Sequence, residues 1–268
     1  MSATPIGELL SHWRRSRGRS QLDLAIEADV SPRHLSFIET GRSQPSREMV
    51  LLLAATLGLP LREQNTLLLA AGFAPIFREA HLDDPELELA KRAIDFVFEQ
   101  QAPYPAVVLD RQWNIVRASP PAEAFFARLL EPSDDAPPPN VLRLMFDPRG
   151  LRPFVENWEA VASALVQRVH REAIGGVAGD ATKRVLAECL AQPDVPKRWS
   201  AMDPNAQPAP LIAIHFRKGD LAMRYFSLVT TLGTAQDITL QELRIESFFP
   251  ADDETRTRAH ELFTASRR

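Results

Sequence analysis

"SQLDLAIEADVSPRHLSFIETGRSQPS", residues 20–46, is the stretch whose reading decides the fold of the first part of the chain. Ser20 opens a short helical segment, with Asp23 three residues later in a capping-box spacing, and the segment continues to about Ala28. Ser31-Pro32 opens a second segment as cap and favoured first residue, and Gly41 stops it. Between them Asp29 stands where a residue tolerant of left-handed backbone angles is wanted. Small Ala25 suits a close helix crossing, and Val30, Leu35 and Ile38 supply the apolar anchors. Two short helices, a tight turn and this anchor spacing make a helix-turn-helix.

Working outward, the same punctuation marks three more helices. Thr4-Pro5 begins one that runs to about Arg17 before Gly18, with Ile6, Leu9, Leu10 and Trp13 as its apolar stripe. Ser46 begins another carrying Val50, Leu51, Leu53, Ala54 and Leu57, and a fifth covers roughly Leu61 to Ala71. The expected N-terminal domain is therefore mainly α, with five helices over residues 1–78. It holds nine Arg and eight Asp/Glu over residues 1–80, a net of +1, whereas the whole chain carries −4. Any contact with a polyanion must rest on local placement of charge rather than on a strong overall field.

These residues resemble the Cro/lambda-repressor type of helix-turn-helix, also called the xenobiotic-response-element type, over about Pro5 to Gly72. Asp29 departs from the glycine usual at its position, a substitution the backbone tolerates. The resemblance implies double-stranded DNA as partner, with the second helix of the motif in the major groove. Its leading residues are Pro32, Arg33, His34, Ser36 and Phe37. Arg33 is the strongest base reader, since a guanidinium donates two hydrogen bonds to guanine O6 and N7. Gln21 matches the family's backbone-contacting glutamine, while Arg42, Ser43 and Arg47 are phosphate candidates. Glu39 corresponds to a glutamate that pairs with an arginine of the first helix, here Arg14, as a structural ion pair.

The remaining chain changes character. "LAAGFAP", residues 69–75, closes the helical domain. A connector over residues 79–104 contains an apolar-striped helix from about Pro85 to Gln101, suited to a homodimer contact or to packing on its own domain. The third part, residues 105–268, opens with a strand, a turn at Asp110-Arg111-Gln112, a second strand and a helix from Pro120 to Leu130, an order that resembles the start of PAS sensor domains. Two helices, about Arg152 to Ala173 and Asp180 to Ala191, precede a return to strands in "LIAIHFRKGD" (211–220), "LAMRYFSLVTTLG" (221–233) and "LQELRIESFFP" (240–250), with a hairpin near Gly219-Asp220. Pro132 to Pro139 reads as a surface loop and the glycine-rich 175–180 as a connector. The expected fold is α/β, an antiparallel sheet with helices.

Three stretches, "SREMVLLLAATLGLPLREQNTLLLAAGFAP" (46–75), "NVLRLMFDPRGLRPFVENWEAVA" (140–162) and "TTLGTAQDITLQELRIESFFPADDETR" (230–256), extend the likeness. With them nearly the whole chain resembles bacterial regulators that carry an MmyB-like ligand-binding domain. That resemblance implies a PAS-like domain with a pocket for a small apolar, fatty-acyl-like effector. Candidate lining residues are Phe125, Phe126, Leu144, Met145, Phe154, Trp158, Phe226 and Leu228, with Arg143, Arg152 or His215 to meet a head group.

Other chemistry has no motif to carry it. The segment 175–180 lacks the Gly-Lys-Ser/Thr ending of a phosphate loop, and the six histidines show no metal-ligand spacing; His170 and His215 each stand alone. No metal, no cofactor beyond a bound fatty acid or similar molecule, and no enzymatic activity are expected. Composition fits a globular protein of 45% hydrophobic and 25% charged residues. No apolar run approaches the ~20 residues that cross a bilayer, and the start of the chain lacks the apolar core of a signal peptide. The lone Cys189 suits a reducing compartment. A cytoplasmic regulator is the expectation. The competing readings are an antitoxin-like module that neutralises a protein partner and an enzyme acting on a small metabolite at DNA.

Overall fold

The computed structural model describes residues 4–131, 139–174, 179–192, 194–201 and 211–266. Residues 132–138 and 175–178, which bear most of the proline-rich loop and of the glycine connector expected from sequence, lie outside these described residues. Contacts divide the chain into two compact units. Among the described residues, the first holds 4–80, 174 and 234–241, and the second holds the rest.

The first unit contains α1 (Pro5–Ser16), α2 (Gln21–Glu27), α3 (Pro32–Glu39), α4 (Arg47–Thr56) and α5 (Leu61–Ala70). Four of the five starts are fixed by side chains that satisfy otherwise orphaned amides. Thr4, Ser20, Ser31 and Ser46 accept from Gly7, Asp23, His34 and Met49, and Asp23 returns a bond to the Ser20 amide to complete a capping box. Asp29 turns the chain between α2 and α3 at φ 53°, as its position in the motif implies. Leu10, Leu24, Ala25, Leu35, Ile38, Leu53, Leu67 and Leu68 form the core at 1% exposure or less.

One close approach sets the arrangement of α1 against α3. A Cβ built on Gly7 would lie 2.4 Å from the Glu39 carbonyl oxygen, so only glycine allows the helices to meet there.

The second unit contains α6 (Glu88–Gln101), β1 (Ala106–Leu109), β2 (Ile115–Ala118), α7 (Pro120–Leu129), α8 (Val141–Phe146), α9 (Trp158–Ile174), α10 (Asp180–Leu190), β3 (Ile214–Lys218), β4 (Leu221–Thr231), β5 (Arg244–Pro250) and α12 (Asp253–Ser266). The short α11 (Ile238–Glu242) sits in the β4–β5 connection. The five strands form one curled antiparallel sheet in the order β2-β1-β5-β4-β3. That is the antiparallel sheet with helices expected from the PAS-like opening.

Antiparallel partners share a face, so the register assigns every strand side chain to one side. Val107, Leu109, Phe216, Met223, Tyr225 and Phe248 line the main core with residues of α7, α8, α9, α10 and α12. Ala106, Val108 and Ile245 point the other way, where α6 lies: Phe98 stacks under Arg117, the ladder partner of Val108. Ile94 is fully buried in the same layer.

Two elements differ from their sequence reading. The helix expected from Arg152 is a single turn over 152–154, and α9 starts only at Trp158. Val155 turns extended after this one turn, and the residues there pair with the sheet instead: Val155 bridges Phe216, and Asn157 bonds Ala213 and His215. The last strand begins at Arg244, not at Leu240, because Asp237 accepts from the Leu240 amide and starts α11. Asp252 accepts from the Thr255 amide ahead of α12 and so caps that helix.

The glycine contact yields a stability prediction. Gly7→Ala gains helix propensity but forces α1 away from α3, and the net loss expected is about 1–3 kcal/mol. Denaturant unfolding measures it; an unchanged or raised stability contradicts the close crossing.

Candidate nucleic-acid interface and effector site

The two helices of the motif are locked from beneath by one buried carboxylate. Glu39, at the end of α3 and 7% exposed, takes a two-pronged bond from Arg14 of α1, Nε to Oε1 at 2.7 Å and Nη2 to Oε2 at 2.9 Å. Glu39 Oε2 also accepts from Gln21 Nε2 at 2.7 Å, and Arg14 Nη1 donates to the Arg19 carbonyl. The hydrogen bonds that Arg14 donates to Glu39 raise its guanidinium above its ordinary pKa. The pair expected from the family resemblance is present, and it has a third member: Gln21, at the first position of α2, is held by the same carboxylate.

None of the nine residues assigned to DNA contact is buried. Pro32, Arg33, Arg42 and Arg47 are exposed, and Gln21, His34, Ser36, Phe37 and Ser43 are partly so. Phe37 takes Arg33 at 5.2 Å and Arg42 at 5.8 Å from its ring centroid, a pair of cation–π contacts that sequence spacing did not reveal. The Phe37 carbonyl accepts from the amides of both Arg42 and Ser43, which fixes the chain just after α3. Arg47 stands at the first turn of α4, where the helix dipole favours an anion. Gln21, Glu39 and Thr40 border an open cleft of about 680 Å³ together with Ser11, His12 and Arg15 of α1.

In the second unit the expected lining residues fall into two groups. Phe125 is buried against Phe126, Phe216 and Tyr225, ring centroids 5.1–5.5 Å apart. Leu144 and Met145 on α8 and Trp158 on α9 join the same core, where the Trp158 indole donates to the Met145 carbonyl at 2.7 Å. Trp158 packs with Phe146 and Trp199, and Arg152 lies 4.2 Å over its ring. Phe154 packs at the edge of this core beneath the Lys218 ammonium. Phe226 and Leu228 stand on the opposite face: Phe226 stacks on Phe249, and Leu228 is half exposed. Of the head-group candidates, Arg152 touches the aromatic core, Arg143 pairs with Glu188 on the surface, and His215 alternates away from Phe216.

A family model for the MmyB-like transcription regulator ligand binding domain matches residues 90–262, and a helix-turn-helix model matches residues 10–64. The chain belongs to the MmyB-like transcription regulators. It is thus a helix-turn-helix DNA-binding regulator with a ligand-binding domain. No curated protein matches the chain. No described helix is long and apolar enough to cross a membrane.

This regulator also contains a buried polar cluster that no sequence spacing announced. Trp113, with φ 69°, takes the guanidinium groups of Arg168 and Arg244 at 4.7 and 4.5 Å from its ring. Glu172 Oε1 accepts from both arginines, and Arg244 Nη2 donates to the Asp110 carbonyl. Trp113 Nε1, Glu172 Oε2 and Arg244 Nε are buried with no protein partner. The contributing residues come from a turn, a helix and a strand spread over 110–244, so no linear motif joins them. Cys189 is buried, and desolvation pushes its thiol up to about 11. Its protonated form is favoured by folding, so that contribution is complete below roughly pH 8.5 and is lost as pH rises toward the folded value.

Arg14→Ala or Glu39→Ala alone leaves a buried charge unpaired and costs about 3–5 kcal/mol, while replacing both with apolar residues of similar size costs far less; unfolding of the three variants measures this, and additive losses contradict it. At about pH 8 the native Cys189 thiol reacts with a disulfide reagent only as fast as the domain opens. Immediate stoichiometric labelling of folded protein argues against the buried environment.

Proposed function

We propose that this regulator binds DNA sequence-specifically as a homodimer in the cytoplasm and that a small apolar, fatty-acyl-like effector in its C-terminal domain controls the binding. The exposed start of α3, with Arg33 leaning on Phe37, carries the DNA part of the reading. Arg33 reads a guanine edge, and His34, Ser36, Pro32 and Phe37 lie along the same groove floor. Gln21, Arg42, Ser43 and Arg47 contact phosphates and set the register. A single module with such a modest net charge binds weakly, and two modules one helical turn apart multiply their affinities. Residues 79–104 then act as the connector between a DNA-binding part at 1–78 and an effector part at 105–268.

The aromatic and methionine residues around Phe125 and Trp158 support an apolar effector. Rings and a thioether offer polarisable contact to an alkyl chain. Arg152, stacked on Trp158 at the rim of that core, is the group best placed for a carboxylate head.

Titration of the purified protein against the DNA upstream of its own coding sequence, at several salt concentrations, tests the first part. Arg33→Ala weakens specific binding by ~1–3 kcal/mol and relaxes preference at one base pair, whereas Arg47→Ala weakens all sequences alike and lowers the salt slope by about 1. Unchanged base preference in Arg33→Ala rules out this docking. For the second part, a series of saturated fatty acids of increasing chain length raises the melting temperature in proportion to affinity. Phe125→Ala and Arg152→Ala diminish that rise. No stabilisation by any chain length rules out the fatty-acyl class.

A further inference from the structure

The connection between β4 and β5 serves two masters. By sequence it belongs to the sheet of the effector domain, but residues 234–241 are part of the first compact unit. Four hydrogen bonds tie them there. The Leu61 amide donates to Gln241 Oε1 at 2.7 Å, and the Ile238 amide donates to the Arg78 carbonyl at 2.8 Å. The Ala80 amide donates to Asp237 Oδ2 at 3.1 Å, and Thr239 Oγ1 donates to the Ala80 carbonyl at 2.6 Å.

The first of these bonds answers a local need. Helices α1 to α4 each have a Ser or Thr cap, but α5 is preceded by Pro60, whose side chain accepts nothing. The Leu61 amide is the first orphan donor of α5, and its residue is 7% exposed. Gln241, 180 positions along the chain, supplies the missing acceptor. The remaining three bonds consume the backbone groups of 78–80 at the end of the unit, around Ile238 at 3% exposure.

One residue after Gln241 the chain is anchored elsewhere. Glu242 pairs with Arg111 of the β1–β2 turn at 3.2 Å, both side chains about 15% exposed or less. Arg244 then pairs with Glu172 at the end of α9 and stacks on Trp113. Neighbouring peptide units therefore belong to two different networks, one capping α5 and one built into the effector sheet.

We propose that residues 237–244 are a coupling strap: the Arg111–Glu242 and Glu172–Arg244 pairs of the effector domain set how firmly Gln241, Asp237 and Thr239 hold α5 and residues 78–80. A rearrangement of the β1–β2 turn or of the start of β5 moves the strap, and the change reaches the DNA-binding unit as a change in local stability rather than as a direct contact with DNA. Such a route has the two-ended physical warrant that coupling requires, since each end is a defined set of bonds that can be broken separately.

Amide hydrogen exchange on the full chain without DNA or effector tests this, so its outcome is independent of the DNA and effector assignments above. Gln241→Ala accelerates exchange at the Leu61 amide by roughly five- to ten-fold, the loss of one intramolecular hydrogen bond. Glu242→Gln, a conservative change in the effector-domain anchor, accelerates exchange at Leu61 and Ala80 together, while amides of α1 keep their protection. Arg111→Ala reproduces the pattern from the other partner. Wild-type exchange at Leu61 and Ala80 in both anchor variants, with changes confined to the effector domain, overturns the strap; so does an unaltered Leu61 amide in Gln241→Ala. A variant that loses protection throughout has unfolded, and Glu242→Gln then carries the decision because it preserves size and hydrogen-bonding capacity.

Discussion

A carboxylate removed from water must find compensation or it unfolds its surroundings, and Glu39 is the carboxylate on which the helix-turn-helix depends. Arg14 neutralises it with two parallel bonds and Gln21 takes a third. The three residues come from α3, α1 and α2, so a single charge balance fixes the mutual position of three helices. Gly7 lets α1 approach the α3 backbone at the same place. The orientation of α3 thus comes from a polar lock below the helix, which leaves its outer face free of structural duties. Arg33, Arg42 and Phe37 occupy that face.

The first unit was largely legible because its punctuation is local. Caps at Thr4, Ser20, Ser31 and Ser46, and a turn residue at Asp29, act within four residues of themselves, and a linear sequence displays them. The family resemblance added the Arg14–Glu39 pair, which spacing alone does not reveal. What escaped were relations between distant positions. Gly7 looks like any helical glycine until the Glu39 carbonyl stands beside it. Gln241 looks like a polar residue in a strand until it caps α5. The break at Val155 became helix in a sequence reading because the pairing partner, β3, lies some sixty positions later.

The effector domain shows the same limit on its site. Apolar residues at strand positions all look alike in composition, and the register decides which face each occupies. Phe226 and Leu228 alternate with Tyr225, so they leave the core that Phe125 and Trp158 share. The cluster of Trp113, Arg168, Glu172 and Arg244 was invisible for another reason: buried ion pairs assemble from elements that meet only in three dimensions. One of its unpartnered atoms, Arg244 Nε, belongs to the residue that ends the strap between β4 and β5.

In the proposed docking α3, held by the Glu39 lock, presents its leading residues to DNA. The most direct measurement is an amide and side-chain chemical-shift map of the isotopically labelled protein, titrated with a duplex of the DNA upstream of its own coding sequence. That docking concentrates perturbations at Gln21, Arg33, Phe37, Arg42 and Arg47 and retains the buried Arg14 and Glu39 signals in the complex. Perturbations that bypass residues 31–47 and gather on another surface contradict it.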